Sequence, residues 1–384
     1  MPLDGALGRV LAEDLVSKVD VPPFDRATYD GYAVRASDTF GAGEDSPREL
    51  TLVGQLWAGT WPKRRLRARE CIEIATGAPM PNGSNAVVMV EHAIAKGKKV
   101  SVYRAVAPGE NVTERGSDIR RRQRVARAGK RLTLADLGAL AAVGVAGVRV
   151  FFKPKVAIIS SGGELAKPGE RLRPGMVYDV NGPALSVAVE ACGAEPVYLG
   201  ITPDRAPAIK ALVRKGLKSC DLVLISGGSS AGAGDIVPKV VGGMGKPGVI
   251  VHGLAQKPGK PTFIAVVKGK PVFGLPGYPV SALMVFDQLV AGYLRELSGA
   301  PRPQRSIVRA KLAARVLSAR GRRELVPVRL AKRGREVLVE PILKGSGAIT
   351  SLSAADGYIE VPLERELIDE GEIVEVKLFG EEPT

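Results

Sequence analysis

The chain has 384 residues, 45% of them apolar and 25% charged, values that fit a folded globular protein of several domains and exclude disordered or collagen-like classes. Its formal net charge of +15 suggests an anionic ligand or partner, with solubility or a basic, arginine-rich proteome as the alternative. Cys71, Cys192 and Cys220 lie far apart in no CxxC pattern, which argues against a disulfide framework or a cysteine metal site and for a reducing, cytoplasmic setting. With His92 and His252 as the only histidines, a zinc site or a histidine triad has little to draw on. No secretory signal is read at the N-terminus, and the most membrane-like stretch, 137–148, is too short to span a bilayer.

In chain order, Leu7, Val10 and Leu11 have helical spacing, and the chain then turns extended before Pro22-Pro23. PPFDRATYDGYAV (22–34) crowds Asp25, Arg26, Thr28 and Asp30 around Tyr29, Gly31 and Tyr32, which reads as a site. Short alternating runs from 49 to 124, punctuated by Gly and Pro turns, predict a small β-rich domain. Inside it ATGAPMP (75–81) presents Thr76 on a rigid loop. The run 114–131 is dense in Lys and Arg around Asp118. It carries no interleaved aromatics, so a solvated surface strand and turn is favoured over a nucleic-acid strip. A helix is expected over 133–145 with Thr133 as its N-cap.

From Lys155 the pattern becomes βαβ. KVAIISSGGEL is a strand into a turn bearing Glu164, and Asp179 and Asn181 precede a helix. EPVYLGITPD is a strand ending at Asp204. DLVLISGGSSAGAGD (221–235) is a doubly buried strand feeding a glycine-rich loop, Gly227, Gly228, Ser229 and Ser230 among its residues, into a helix start. Such a loop aims backbone N–H groups at an anion, and the Asp235 carboxylate at its end makes sense if a divalent cation sits between. Further strands near 249–252, 262–267 and 271–274 and a closing helix over 280–297 complete an open, mostly parallel, doubly wound sheet. Glu164, Asp204 and Asp235 all follow strand carboxyl ends, where such sheets bind ligands. QKPGKPTF (256–263) holds Lys257, Pro258 and Lys260 on a rigid frame suited to an anion. Residues from 301 return to short strands, a second small β domain.

PPFDRATYDGYAV, ATGAPMP, SSGGEL, SGGSSAGAGD, KPGKP and GLPGYPVSA, in this order, resemble the molybdopterin molybdenumtransferase family (MoeA and the gephyrin E domain) over essentially the whole chain. The resemblance implies an elongated multidomain chain: a discontinuous linker domain (1–37 and 125–150), a β-rich domain (38–124), an α/β molybdopterin-binding-like domain (151–300) and a C-terminal β domain (301–384). It implies insertion of molybdate into adenylylated molybdopterin with release of AMP, assisted by Mg²⁺ held by Asp235 and Glu164, with Asp204 nearby. The pterin dithiolene itself would displace oxygen from molybdate. Gly227, Gly228, Ser229 and Ser230 would cradle phosphate, while Lys257 and Lys260 would bind the oxyanion, joined by Ser346 and Arg323 from the last domain. In the family the cleft forms between subunits of a homodimer, so Asp30, Thr76 and Asp118 would come from the partner copy. No membrane or nucleic-acid partner is expected.

The chain departs from common bacterial members in SGGEL for TGDEL, in SGGSSAGAGD for SGGVSVGEAD, in His252-Gly253 where a lysine is usual, and in Tyr278 for asparagine. Family chains also begin about one helix earlier. Tungstate is therefore an alternative substrate, and a non-catalytic cofactor-binding scaffold is an alternative role.

Overall fold

A computed structural model describes residues 1–228, 236–301, 305–334 and 336–379. The chain divides into two compact units, Met1–Val150 and Phe151–Thr384.

The first unit is built on a mixed six-stranded sheet in the order Ala86–Met89, Gly31–Val34, Glu70–Ile74, Arg48–Leu56, Lys99–Val102, Ala93–Lys96. Gly31–Val34 is flanked on both sides in that sheet, by Ala86–Met89 and Glu70–Ile74, at close range. A Cβ on Gly31 would lie 2.0 Å from the Val88 carbonyl oxygen, so only glycine allows the close strand approach. The strands Arg48–Leu56 and Glu70–Ile74 run parallel, and a parallel pair cannot be closed by a hairpin. Residues 57–69 must therefore cross back as a loop.

The helix expected around Leu7–Leu11 does not form. Val10 and Leu11 instead make isolated bridges to Arg131 and Val150, and both are buried. Gly5 and Gly8 leave too few residues to close two helical turns, and Gly8 sits at φ +71°. The helix after Thr133 spans Leu134–Ala142, with a reciprocal capping box between Thr133 and Asp136.

In the second unit, strands Glu195–Thr202, Lys155–Ser161, Leu222–Ser226 and Lys270–Leu275 are parallel neighbours, and Phe263–Val267 then Pro247–His252 extend the sheet by antiparallel pairings. Alternation along the central strands explains the double winding. Val156, Ile158, Leu222 and Leu224 pack on one face with Leu185 and Val189 of the helix Asn181–Ala191. Ala157, Ile159, Val223 and Ile225 pack on the other with Ile209 and Val213 of Ala206–Ser219 and Val237 and Val241 of Ile236–Gly242. Both faces are dry, so these strands read as continuous apolar runs. The helix expected over 280–297 is present but interrupted: α-helices Pro279–Val285 and Ala291–Ser298 flank a π turn at Phe286–Val290.

Strands from Ile307 to Leu378 form a second six-stranded sheet with its own core of Leu312, Val326, Val328, Val339 and Ile359. Its sixth member is Gln256–Lys257, which leaves the α/β part to pair in parallel with the start of Arg323–Arg333.

Candidate functional site

The carboxyl ends of the parallel strands open into a cavity of about 1030 Å³ in the second unit, walled on its other side by the C-terminal sheet. Its size suits a ligand larger than a single nucleotide base. Of the residues singled out in the sequence, Glu164, Asp179, Asn181, Asp204, Gly227, Gly228, Lys257, Pro258, Lys260 and Ser346 all line it. Ser229, Ser230 and Asp235 lie outside the described residues.

The floor is tightly made. Gly227 and Gly228 have φ of +99° and +62°, and a Cβ on Gly227 would lie 2.1 Å from the Ser161 carbonyl oxygen. Only glycine lets the chain leave the Leu222–Ser226 strand this close to its neighbour. Ser161 Oγ donates to Asp204 Oδ1 at 2.6 Å, and that carboxylate lies 3.4 Å from where a Gly228 side chain would begin. Glu164 is exposed, folds over Gly162, and its carboxylate accepts no hydrogen bond among the described residues. Two rim carboxylates thus differ: one is oriented by a hydroxyl, the other is uncommitted.

Asp179 differs from a ligand-facing acid. It is 2% exposed and accepts from Ser160 Oγ (2.8 Å), the Tyr198 hydroxyl (2.5 Å) and the Gly182 amide (3.0 Å). Burial and the adjacent Asp179 carboxylate raise the Tyr198 phenol far above its ordinary range, so it stays a donor. Asp179 therefore anchors the start of the following helix and supports the cavity wall. Asn181 donates through Nδ2 to Ser226 Oγ (2.7 Å) and the Gly277 carbonyl (2.8 Å), while its buried Oδ1 has no partner among the described residues. Ser351 Oγ, also buried and on the cavity wall, is likewise unpartnered. Buried polar atoms left unpaired cost free energy unless a ligand or water supplies the bond.

The lysine hairpin is rigid for identifiable reasons. Thr262 Oγ1 donates to the Gly259 carbonyl (2.7 Å), Gln256 Nε2 to the Pro258 carbonyl (3.1 Å), and the Leu254 amide to the Lys260 carbonyl (2.9 Å). Lys257 stands in register with Glu324 across the parallel pairing and forms an ion pair with it at 2.7 Å. Lys260 is exposed and has no ion pair among the described residues. The two lysines are thus unequal.

Arg323 pairs with Glu360 at 2.5 Å and donates to Gln288, and the cavity lining includes its neighbour Arg322 in its place. Arg322 sits in the bend that enters the strand Arg323–Arg333. Arg322 and Ser351 were not picked out in the sequence, and nothing local marks either.

In the first unit, Asp30 accepts from the Thr76 amide (2.6 Å) and hydroxyl (2.9 Å). Those bonds, the amide first, hold its carboxyl below the usual range despite slight desolvation. Because the folded pKa is depressed, the pair is intact above the ordinary carboxylate range and is lost as pH falls through the lowered value. Thr76→Ala is expected to move the Asp30 titration upward, read by carboxyl NMR; an unmoved midpoint would contradict the assignment. Asp118 is exposed, with its amide bonded to the Val21 carbonyl. The basic run around it is partly neutralised, Arg115 by Asp20 (2.6 Å), Arg124 by Asp14 (3.0 Å) and Lys130 by Asp136 (2.5 Å), as a solvated surface segment requires.

No helix among the described residues is long and apolar enough to cross a membrane. The cysteines are free and buried, and burial pushes the Cys71 thiol up to about 12, which leaves it inert.

Residues 157–296 match a family model described as a probable molybdopterin binding domain, 1–144 the MoeA N-terminal region (domain I and II), and 309–379 the MoeA C-terminal region (domain IV). The chain is 35% identical to molybdopterin molybdenumtransferase 2 of Mycobacterium tuberculosis, covering 94% of this chain and 90% of that one. It is 31% identical to the molybdopterin molybdenumtransferase of Bacillus subtilis over 99% of this chain and 89% of that one. A crystal structure of the molybdopterin biosynthesis MoeA protein from Pyrococcus horikosii superposes with a TM-score of 0.80 at 44% identity, covering 99% and 94% of the two chains. The chain belongs to the MoeA family.

Proposed function

We propose that this chain is a molybdopterin molybdenumtransferase, inserting molybdate into adenylylated molybdopterin with release of AMP. The observation that carries the reading is a single cavity in which the uncommitted Lys260 and Arg322 share a wall system with the Glu164 and Asp204 carboxylates. Molybdate and the phosphoryl groups of the adenylate are anions, and preorganised cations stabilise charge that grows as a P–O bond breaks. Lys260 and Arg322 bind and orient those anions, and Lys257, held by Glu324, keeps the hairpin in register. Gly227 and Gly228 let the backbone approach phosphate closely.

Among the described residues no three Asp, Glu, His or Cys gather into a metal group of their own. Magnesium needs only one or two carboxylates when phosphate oxygens complete its shell, and the uncommitted Glu164 carboxylate fits that role together with Asp235. Bound there, Mg²⁺ supplies charge neutralisation on phosphate oxygens. Asp204, oriented by Ser161, holds a bound water or ligand hydroxyl beside it. The reading includes a homodimer in which Asp30, Thr76 and Asp118 of one copy complete the cavity of the other, in a cytoplasmic setting that suits buried free thiols.

The test is AMP release from adenylylated molybdopterin by the purified protein with Mg²⁺ and molybdate, repeated with tungstate. Release with either oxyanion supports the transferase, and the faster of the two identifies the preferred substrate. Substrate binding without any AMP release would point to the scaffold role instead.

A further inference from the structure

We propose that the first unit carries a second anion site, separate in its residues from the cavity above, that takes a chain of phosphate groups. It is a concavity of about 1120 Å³ lined by Arg35, Lys63, Arg64, Arg65 and Arg67, with no acid among its lining residues. Arg35 follows the strand Gly31–Val34, and the other four sit on the 57–69 crossover loop.

The loop is held in one shape. Thr60 Oγ1 accepts from the Trp57 amide (3.2 Å) and donates to the Trp57 carbonyl (2.6 Å), closing its first turn. Trp61 packs edge-on against Phe24 with ring centroids 5.6 Å apart. Leu66 is 3% exposed and serves as the apolar anchor, its amide donating to the Asn82 carbonyl at 2.8 Å. Gly83 closes the contact, since a Cβ there would lie 2.4 Å from the Leu66 carbonyl oxygen. Around this anchor the flanking cations are forced outward.

The acids nearby are already used. Glu70 pairs with Arg64 at 2.5 Å and accepts the Arg67 amide at 2.9 Å, and Asp38 accepts the Arg69 amide at 2.7 Å. Arg35, Lys63, Arg65 and Arg67 have no ion pair among the described residues, and all are exposed. Several like charges gathered in one concavity are neutralised together only by a ligand with closely spaced negative charges. Guanidinium groups match phosphate oxygens in bidentate fashion. An acidic peptide would also need apolar or strand-edge contacts, and the apolar side chains of the lining amount to the inward-turned Leu66 and the small, exposed Ala68. A phosphate chain, free or as a nucleic-acid backbone, needs neither.

Trp57 and Trp61 are the only tryptophans of the chain and lie on this loop, so intrinsic fluorescence reports the site. The full chain is titrated at low salt with sodium tripolyphosphate and, separately, with a short oligothymidylate. Binding is expected, with an affinity that falls as salt rises. The Lys63→Ala/Arg65→Ala/Arg67→Ala variant should bind at least about tenfold more weakly, each lost phosphate contact removing part of the electrostatic term. An Arg120→Ala/Arg121→Ala variant, which removes charge from another basic segment, should bind as the parent does. Tripolyphosphate binding identifies a free phosphate chain as sufficient, and binding of the oligothymidylate alone identifies a nucleic-acid backbone as its source. No binding of either probe below about 1 mM, or equal weakening by both variants, overturns the proposal.

Discussion

Lys260→Ala is expected to lower the rate of AMP release about 100-fold, the usual cost of removing one preorganised charge-stabilising donor. Its fold should be unaffected, because Lys260 is exposed and its side chain has no partner among the described residues. What the hairpin needs from residue 260 is its backbone, the carbonyl that accepts the Leu254 amide, and alanine retains it. Lys257→Ala is a less clean probe. It would strand the Glu324 carboxylate, 7% exposed, with only Ser318 Oγ as a donor at 2.7 Å, and so mixes lost stability with lost binding. Arg322→Ala should resemble Lys260→Ala more than Arg323→Ala does, since Arg323 is spent on Glu360. Steady-state AMP release, beside a thermal melt, separates these cases. An unaltered rate in Lys260→Ala would remove the lysine from the chemistry.

Asp179→Ala is expected to destabilise the second unit by about 3 kcal/mol, from three donors losing a shared acceptor at a typical cost of about 1 kcal/mol each or more. The buried Ser160 hydroxyl and Gly182 amide would be left unpaired, the more exposed Tyr198 hydroxyl would lose its acceptor, and the helix Asn181–Ala191 would lose its anchoring carboxylate. Asp179→Asn keeps the shape and one acceptor oxygen, so it should lose less. Urea unfolding reads the difference as a shift in midpoint. If Asp179→Ala unfolds at the parent midpoint yet fails to bind substrate, the residue acts on the ligand directly and not through the wall.

Much of this architecture is written locally. The run Leu222–Ser226 has to be a strand covered on both faces, because consecutive apolar residues alternate sides and each side demands a partner. The glycines after it mark a close backbone approach, and the fold supplies the neighbour: the carbonyl oxygen of Ser161. Thr133 as a cap, the βαβ order and the KPGKP frame are likewise consequences of short-range chemistry. Local spacing failed where glycine content outweighed it, at Leu7–Leu11, and where one apolar run met two partners, at the π turn Phe286–Val290.

Long-range pairing decided the rest. Glu164, Asp179 and Asp204 look alike as acids near strand ends. Only the packed fold gives one a free carboxylate, one a hydroxyl partner and one a buried structural role, because desolvation and donor supply depend on neighbours distant in the chain. The same holds for the lysines. Lys257 is neutralised by Glu324 through a strand pairing between segments more than sixty residues apart. Arg322 lines the cavity while Arg323 is held by Glu360, a partner 37 residues further along the chain. Residue types and spacing thus pointed to the proposed anion site and to the elements that line its cavity. Tertiary pairing determined which of its charges remain free to act, since a charge is available only if no other part of the fold has claimed it.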